Sequence, residues 1–180
     1  AGLELYSWLQ KEKVNVGFVA TGQIGITITG KGIPLDAFKV DHACGAVEQV
    51  VMEQADKEIV LIEGQGSLLH PGSTATLPLM RGSCPTHLIL CLRAEKTTLR
   101  SPEHIKIPDL NDFIALNESL ATVGGTFPKA KVIGIAANTS MLSLEDAEIY
   151  LKKTAEKTGI LVTDPVRFGI DSIGKHIASS

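Results

Sequence analysis

Glu58-Ile-Val-Leu-Ile-Glu63, followed at once by Gly64-Gln-Gly-Ser67, is the stretch from which the fold of this 180-residue chain is best read. Four consecutive aliphatic residues without polar alternation are typical of a strand that is buried on both faces of a parallel sheet. This strand ends in a carboxylate and a turn with two glycines. Ligands of open parallel α/β sheets bind outside the carboxyl ends of the strands. The stretch therefore predicts both an α/β fold and a site at this strand end.

Further aliphatic runs of strand length alternate with helical patterns along the rest of the chain. We predict strands at residues 14–21, 87–92, 131–137 and 161–163, a possible short strand at 24–29, and helices at 1–12, 42–57, 74–81, 109–122, 143–158 and after 165. Ser143 with Asp146 resembles a capping box, and Gly159 is a natural helix end. Strands that alternate with helices in this way favour βαβ units. The predicted fold class is α/β, with a mostly parallel sheet in a three-layer αβα arrangement.

The composition narrows the possible classes of protein. Hydrophobic residues make up 44% of the chain and charged residues 21%, and the formal net charge is −3. These values indicate one folded domain over residues 1–180 and exclude a disordered chain or a nucleic-acid surface held by bulk positive charge. No apolar run approaches the ~20 residues of a membrane span, and no signal peptide is visible. We therefore expect a cytoplasmic protein that has neither nucleic acid nor membrane as a partner.

Polar residues and glycines follow the predicted strands at the edge where a ligand would bind. They include Thr21-Gly-Gln23, Glu63-Gly-Gln-Gly-Ser67, Asn138 and Arg167. A carboxylate directly after a buried strand is costly without a partner, and beside a glycine turn that approaches phosphate it can hold Mg²⁺. Asp41 could share that ion or, on spacing alone, cap a helix. The alternative at each position is an ordinary turn residue.

Two glycine patterns imitate nucleotide-binding motifs. Gly25-Ile-Thr-Ile-Thr-Gly-Lys31 matches the first seven positions of a Walker A loop, but Gly32 stands where Ser or Thr would bind Mg²⁺. Ile33-Pro34 follows in place of the helix that binds phosphate. We interpret this segment as a hairpin or flap over the site. Gly64-Gln-Gly66 fails as a dinucleotide fingerprint because Leu69 occupies the third glycine position.

Four segments together resemble the C-terminal domain of the D-glutamate N-acetyltransferase-like family, and the resemblance covers essentially the whole chain. They are Gly17-Phe-Val-Ala-Thr-Gly-Gln-Ile-Gly-Ile, Gly45-Ala-Val-Glu-Gln-Val-Val, Ile62-Glu-Gly-Gln-Gly-Ser-Leu-Leu-His-Pro and Thr163-Asp-Pro-Val-Arg-Phe-Gly. The resemblance implies a P-loop-NTPase-like fold, similar to dethiobiotin synthetase. It further implies that the carboxylates matching Glu63 and Asp41 bind Mg²⁺ in that wider group, and that the asparagine matching Asn138 recognises adenine.

One part of the family pattern is missing from this sequence. Family members carry a Gly-Thr-Asp-x-x-x-Gly-Lys-x-Thr-Thr loop just before the helix that opens this chain, and a Rossmann-like domain before that loop. We therefore expect the chain to be cut after the phosphate loop of a longer protein, with the absent N-terminal domain as a partner.

Three functions remain open at this stage. The resemblance implies an acetyl-CoA-dependent transfer to the amino group of D-glutamate, an acidic amino acid. The first alternative is an ATP- and Mg²⁺-dependent ligase or kinase of the dethiobiotin synthetase type. The second is a non-catalytic assembly or regulatory domain, whose Arg93–Pro108 loop would contact another subunit or the absent domain. We also expect a homo-oligomer.

The candidate residues fall into four roles. The catalytic candidates are Glu63, His70 and Gln65. The cofactor-binding candidates are Thr21, Gln23, Gly64, Gly66, Ser67 and Asn138. Arg81, Arg93 and Arg167 are candidates to bind substrate carboxylates, since a guanidinium pairs with a carboxylate bidentately. Asp41 and Glu63 are metal ligands only if a Mg²⁺–nucleotide is used.

Overall fold

The computed structural model describes residues 1–179, in which helices alternate with parallel strands. The helices are α1 (Gly2–Lys11), α2 (Gln23–Thr29), α3 (Val40–Met52), α4 (Thr76–Ser83), α5 (Leu110–Ala121), α6 (Leu144–Thr158) and α7 (Asp171–Ala178). The strands are β1 (Val16–Val19), β2 (Ile59–Ile62), β3 (His87–Arg93), β4 (Lys131–Asn138) and β5 (Leu161–Thr163). Short 3₁₀ turns span Leu35–Ala37 and Val123–Gly125. None of the helices within residues 1–179 is long and apolar enough to cross a bilayer.

The strands form two parallel sheets, and the predicted α/β class is confirmed. β1 pairs with β2, with Val19 opposite Ile62. The second sheet has the order β3-β4-β5, with a register irregularity between Leu88 and Ile89. Within each sheet the carboxyl ends of the paired strands lie side by side, so the residues that follow them are neighbours.

The described residues divide into two compact units. The first contains Gly2 and Leu9–Pro85, and the second contains Ala1, Leu3–Trp8 and the residues from Thr86 onward. That residues 1–180 form one domain stays a prediction.

Helices α3 and α4 enclose the core of the first unit. Its buried side chains are Leu35, Ala43, Val47, Ala75 and Leu79, and Ile62 of β2 packs against them. Gly82 of α4 allows the two helices to approach closely, because a Cβ there would overlap the Cys44 carbonyl and the side chain of Val47. The loop that follows β2 is thus connected to a helix fixed in the core.

The core of the second unit centres on β4. Ile135 and Val132 pack with Leu90 of β3. Glu118 of α5 accepts hydrogen bonds from the Val132 amide at 2.9 Å and from Lys131 Nζ at 2.7 Å. Burial alone would raise the pKa of Glu118, but these hydrogen bonds outweigh it and the pKa lies below its ordinary value. The carboxylate therefore fixes α5 to the start of β4.

The structure corrects the prediction for residues 24–31. The segment is neither a strand nor a hairpin, because residues 23–29 form helix α2, which ends at Gly30 with a φ of 70°. The alternating β-branched residues suggested a strand, but Thr27 and Thr29 donate their hydroxyls to backbone carbonyls four residues earlier. The hydroxyl bonds let both threonines fit a helix, and tertiary contacts at its first turn override the β propensity.

Helix ends agree with the sequence in one place and differ in another. Ser143 caps α6, its hydroxyl accepting the Asp146 amide at 3.0 Å, and Gly159 ends that helix with a φ of 70°. Helix α3 begins at Val40, so Asp41 lies inside its first turn and does not cap it. The suggestion of an Asp41 cap was wrong by two residues, because Lys39 is the N-cap, although an acidic residue in the first turn still interacts favourably with the helix dipole.

The long segment between β3 and α5 closes on itself. Thr98 and Lys106 form an antiparallel bridge, and the Ile107 amide donates to the Thr97 carbonyl at 2.8 Å. Its use as a contact surface stays a prediction.

Candidate functional site

The side chain of Glu63 is seated on the backbone that follows β1. Its Oε2 accepts the amides of Thr21 and Gly22, each at 3.2 Å. Gly25 of α2 lies against the same oxygen, and a Cβ at that position would overlap it. A carboxylate at the start of a helix is stabilised by the amides and by the helix dipole. Two sequence-predicted residues, Thr21 and Glu63, are therefore brought into direct contact.

A second hydrogen bond joins Thr21 to Glu63, and in it the Thr21 hydroxyl donates to the Glu63 backbone. Thr21 is completely buried, and its Oγ1 donates to the Glu63 carbonyl at 2.8 Å. The segment after α2 runs back beside the end of β1, where the Ile33 amide donates to Ala20 O at 2.9 Å. Gly32, with a φ of 139°, makes this approach possible because a Cβ there would overlap the Ala20 carbonyl oxygen.

The glycine turn after Glu63 is held by two hydroxyls that precede and begin α4. The Ser67 amide donates to Ser73 Oγ at 3.1 Å, and Thr76 Oγ1 donates to the Gln65 carbonyl at 3.1 Å. The two hydroxyls also bond each other at 3.0 Å. Gly66 has a φ of 73°, and a Cβ on it would overlap Ser73 Oγ. The turn therefore needs glycine at position 66 for both reasons.

The glycine turn after Glu63 also contains backbone amides that could bind a ligand. Among residues 1–179 the amides of Gly64, Gln65 and Gly66 have no protein acceptor, whereas the Ser67 amide is taken by Ser73. A Cβ at Gly64 would have no neighbour within 4 Å, so the turn is open on the side of that residue. Successive free amides in a glycine turn form a concavity that binds anionic oxygens.

His70 lies in the turn that follows. Its Nδ1 accepts the Gly72 amide at 3.0 Å. An accepting Nδ1 carries no proton, so the remaining ring proton resides on Nε2 in this arrangement. This geometry makes the imidazole a donor rather than a base.

The other predicted residues of the first unit lie outside this cluster of contacts. Gln23 donates its side-chain amide to Asp36 at 3.1 Å. Asp41 and Arg81 are exposed, in the first turn of α3 and the last turn of α4. No group of three His, Cys, Asp or Glu side chains within residues 1–179 is arranged to hold a metal ion. A shared Asp41–Glu63 site stays a prediction that would need ligand oxygens to complete it.

In the second unit, a buried carboxylate ties the strand ends together. Asp164, after β5, is only 3% exposed. Its Oδ2 accepts the amide of Thr139 at 2.9 Å and its hydroxyl at 2.5 Å, and Oδ1 accepts the amides of Val166 and Arg167. Burial alone would raise the pKa of Asp164, but these four hydrogen bonds outweigh it and hold the pKa below its ordinary value.

The predicted residues of the second unit lie at or after the carboxyl ends of its three strands. Arg167 donates to the carbonyls of Leu142 and Ser143 at 3.0 and 3.2 Å, which bridges the loops after β4 and β5. Asn138 accepts the Ser140 amide through Oδ1, and in the strand register it stands opposite Arg93. The side chains beside them are apolar and open to solvent, with Met141 81% and Val166 86% exposed.

Several residues that build these arrangements were not predicted from the sequence. Gly25 was assigned to a false Walker motif, and the signal that could have identified it is a helical glycine just after a strand end. Ser73 and Thr76 carry no distinctive signal, because neither hydroxyl caps α4 and Ser and Thr are common near helix starts. Asp36 and Thr139 carry no local signal, because their partners are distant in sequence or belong to another loop.

Comparison with known proteins finds relatives over nearly the whole chain. A family model described as "Domain of unknown function (DUF1611_C) P-loop domain" matches residues 1–174. Two proteins named D-glutamate N-acetyltransferase, from Pseudoalteromonas sp and Tritonibacter scottomollicae, are 35% and 37% identical over 172 residues, or 95% of this chain. The chain spans 51% of each, about half the length of these relatives. The crystal structure of a DUF1611 family protein from Anabaena variabilis is 46% identical, with a TM-score of 0.96 over 99% of this chain and 52% of that one.

Proposed function

This chain belongs to the DUF1611 P-loop domain family, and on that premise we propose that it is the coenzyme A-binding part of an enzyme that transfers an acetyl group from acetyl-CoA to the amino group of D-glutamate. Membership confirms the predicted P-loop-type α/β class and the resemblance to the D-glutamate N-acetyltransferase-like proteins. The two similar proteins named D-glutamate N-acetyltransferase support acetyl transfer to D-glutamate, and acetyl-CoA as the donor is part of the proposal. The residues of the first unit supply groups that this reaction needs.

The observation that carries the proposal is the seated carboxylate of Glu63 next to three unbonded amides. The amine nitrogen attacks the thioester carbonyl carbon, the C–S bond breaks, and coenzyme A leaves as the thiol. Negative charge develops on the carbonyl oxygen in the transition state, and in the proposal the amides of Gly64, Gln65 and Gly66 donate to it. The proton lost by the ammonium group needs a base.

Glu63 is the better base of the two predicted. Oε2 is fixed by two amides, and in the proposal Oε1 takes the proton. His70 accepts through Nδ1 and presents a proton elsewhere, so it would have to leave its bond with the Gly72 amide to act as a base. In the proposal Gln65 serves through its backbone amide, whereas the Ser67 amide is bonded to Ser73 and helps to hold the turn. Thr21 and Gln23 hold the strand end and the segment after it.

The second unit, taken by itself, offers candidates for recognition of the cofactor or the substrate. Asn138 would recognise the adenine of the cofactor, and Arg167 with Arg93 would bind the carboxylates of an acidic amino acid. Arg81 is the corresponding candidate of the first unit. We further propose that the enzyme is a homo-oligomer, which light scattering of the purified full-length protein would test.

Thiol release by the full-length protein that contains this chain tests the reaction. With acetyl-CoA we expect release that needs D-glutamate, is weaker with L-glutamate and persists in a metal chelator. Release that needs ATP and Mg²⁺ would overturn acetyl transfer in favour of the ligase or kinase reading, in which Glu63 and Asp41 hold the ion. An active enzyme that is indifferent to substitution at Glu63, Gln65, His70 and Arg167 would instead favour an assembly role for this segment.

Glu63 and Glu58, at the two ends of β2, allow a test of the base with a matched control. Glu63→Gln keeps an oxygen for the two amides but removes the base, so we expect kcat to fall at least a hundredfold. Glu58 lies at the other end of β2 and also accepts a backbone amide, that of Asn15 at 3.1 Å. Glu58→Gln should leave kcat within about twofold, because that strand end faces away from the proposed ligand edge.

A further inference from the structure

We infer that the hydroxyls of Ser73 and Thr76 are a positioning pair, which sets the turn at residues 64–67 for oxyanion binding; the inference rests on the acyl transfer proposed above. Neither residue would touch the substrate. They act on the backbone of the turn, whose free amides are the proposed donors.

The contacts form a closed chain between the turn and α4. Thr76 Oγ1 donates to the Gln65 carbonyl, Ser73 Oγ bonds Thr76 Oγ1, and Ser73 Oγ accepts the Ser67 amide. The pair thus hydrogen-bonds the turn on both sides of Gly66, at the Gln65 carbonyl and at the Ser67 amide. Gly66, at a φ of 73°, lies so close to Ser73 that only a missing side chain allows the contact.

The hydroxyl chain also decides which amides remain for a ligand. The Ser67 amide is consumed by Ser73, and the Gln65 carbonyl is turned toward Thr76. The Gln65 carbonyl and the Gly66 N–H belong to one planar, trans peptide group and point in opposite directions within it. A fixed Gln65 carbonyl therefore directs the Gly66 N–H away from Thr76. The pair therefore orients a proposed oxyanion donor without contacting the ligand.

The two hydroxyls can restrain the turn because the start of α4 is packed in the core of the first unit. Thr76 is the first residue of α4, and the neighbouring Ala75 and Leu79 are buried in the first unit's core cluster. Segments with buried apolar contacts open less readily than exposed loops, so hydroxyls held beside the core restrain the turn. Misplacement of a catalytic donor by about 1 Å costs on the order of a hundredfold in rate.

Steady-state kinetics of the full-length enzyme tests the pair, with thermal unfolding to verify the fold. We expect Thr76→Val and Ser73→Ala each to lower kcat about tenfold or more with little change in KM, since the turn acts in the transition state. The double variant should lose no more than about the larger single loss, because the two hydroxyls act as one unit. Thr76→Ser, which keeps the hydroxyl, should restore kcat to within about threefold.

Ser83→Ala is the matched control. Its hydroxyl donates to the Leu79 carbonyl of the same helix and has no bond to the turn. We expect an unchanged kcat. A Ser83→Ala loss equal to that of Thr76→Val would show a general effect of α4 hydroxyls and overturn the inference.

Amide hydrogen exchange separates failure of this inference from failure of the proposed function. Faster exchange at Ser67 in Ser73→Ala and Thr76→Val, but not in Thr76→Ser or Ser83→Ala, shows that the pair holds the turn. If the wild-type enzyme releases thiol and the variants keep its kcat, the positioning role is overturned while acyl transfer stands. If the wild-type enzyme releases none, acyl transfer fails and takes the catalytic role of the pair with it, whatever the exchange pattern.

Discussion

Gly25 lies directly against the carboxylate of Glu63, 38 positions along the chain, and the carboxylate keeps its two backbone amides only because position 25 has no Cβ. The contact joins the first turn of α2 to the end of β2. It explains why a helix rich in β-branched residues forms here, since its start is stabilised by a negative charge.

Substitution of this glycine should displace the carboxylate. We expect Gly25→Ala to lower the free energy of unfolding by about 1–3 kcal/mol and to reduce kcat about tenfold or more. Gly45, in the interior of α3 with open space around it, is the control. Gly45→Ala should be neutral or stabilising by up to about 1 kcal/mol. Equal effects of the two alanines in thermal melts and kinetics would contradict the contact.

Because the pKa of Asp164 is lowered, its contribution to the free energy of unfolding should depend on pH. The folded-state pKa lies below the unfolded value, so the carboxylate contributes stability above the unfolded pKa and loses it as the pH falls through the folded pKa. We expect Asp164→Asn to cost about 2 kcal/mol or more at pH 7, because its four donors lose a charged acceptor. The difference from wild type should shrink as the pH falls below about 4.

Denaturant unfolding between pH 3 and 8 measures this difference. Asp112→Asn, at an exposed position in α5, is the control. Its cost should stay below about 1 kcal/mol at every pH. A pH-independent cost for Asp164→Asn would contradict the assignment of the effect to its charge.

Arg167 has both a structural and a proposed substrate role, and the two separate in different measurements. Arg167→Lys keeps the charge but cannot donate from two nitrogens to the carbonyls of Leu142 and Ser143. We expect a small loss of thermal stability and a rise in KM for the acidic amino acid of about tenfold. Lower stability with an unchanged KM in the steady-state assay would leave Arg167 only its structural role.

Close packing of α1 on α7 in the second unit gives a prediction about stability alone. Trp8 donates its indole NH to Asp171 at 3.0 Å, and a Cβ on Gly174 would overlap the indole ring. Gly174→Ala should therefore cost about 1–3 kcal/mol in denaturant unfolding. We expect no change in kcat for the folded variant. A variant as stable as wild type would show that the two helices can separate at no cost.

Local patterns predicted most of the elements because their signals are contained within them. Four aliphatic residues in a row predicted β2, and Ser143 with Gly159 predicted both ends of α6. Helix α2 was mistaken for a strand or hairpin because Ile and Thr at alternating positions favour strands, while the carboxylate that stabilises the helix is far away in sequence.

The candidate site divides in the same way. Glu63 and the glycine turn were predicted because an acidic residue directly after an apolar strand is unusual in itself. The role of the Ser73 and Thr76 hydroxyls in holding the turn was not predicted, because Ser and Thr are common at helix starts for other reasons. That Asp164 is a buried acceptor of four hydrogen bonds was likewise hidden, since an Asp-Pro pair suggests only a turn.

The sequence by itself thus determined most of the strands and helices, with α2 the exception, the α/β class and the strand end at which a carboxylate and glycines lie. Only the tertiary structure decided what holds that carboxylate, which amides stay free and which hydroxyls orient the turn. The physical reason is that propensity and periodicity act over a few neighbouring residues. The Glu63 carboxylate meets its amide partners 42 and 41 residues away, and contacts of that separation form only when the strands pair.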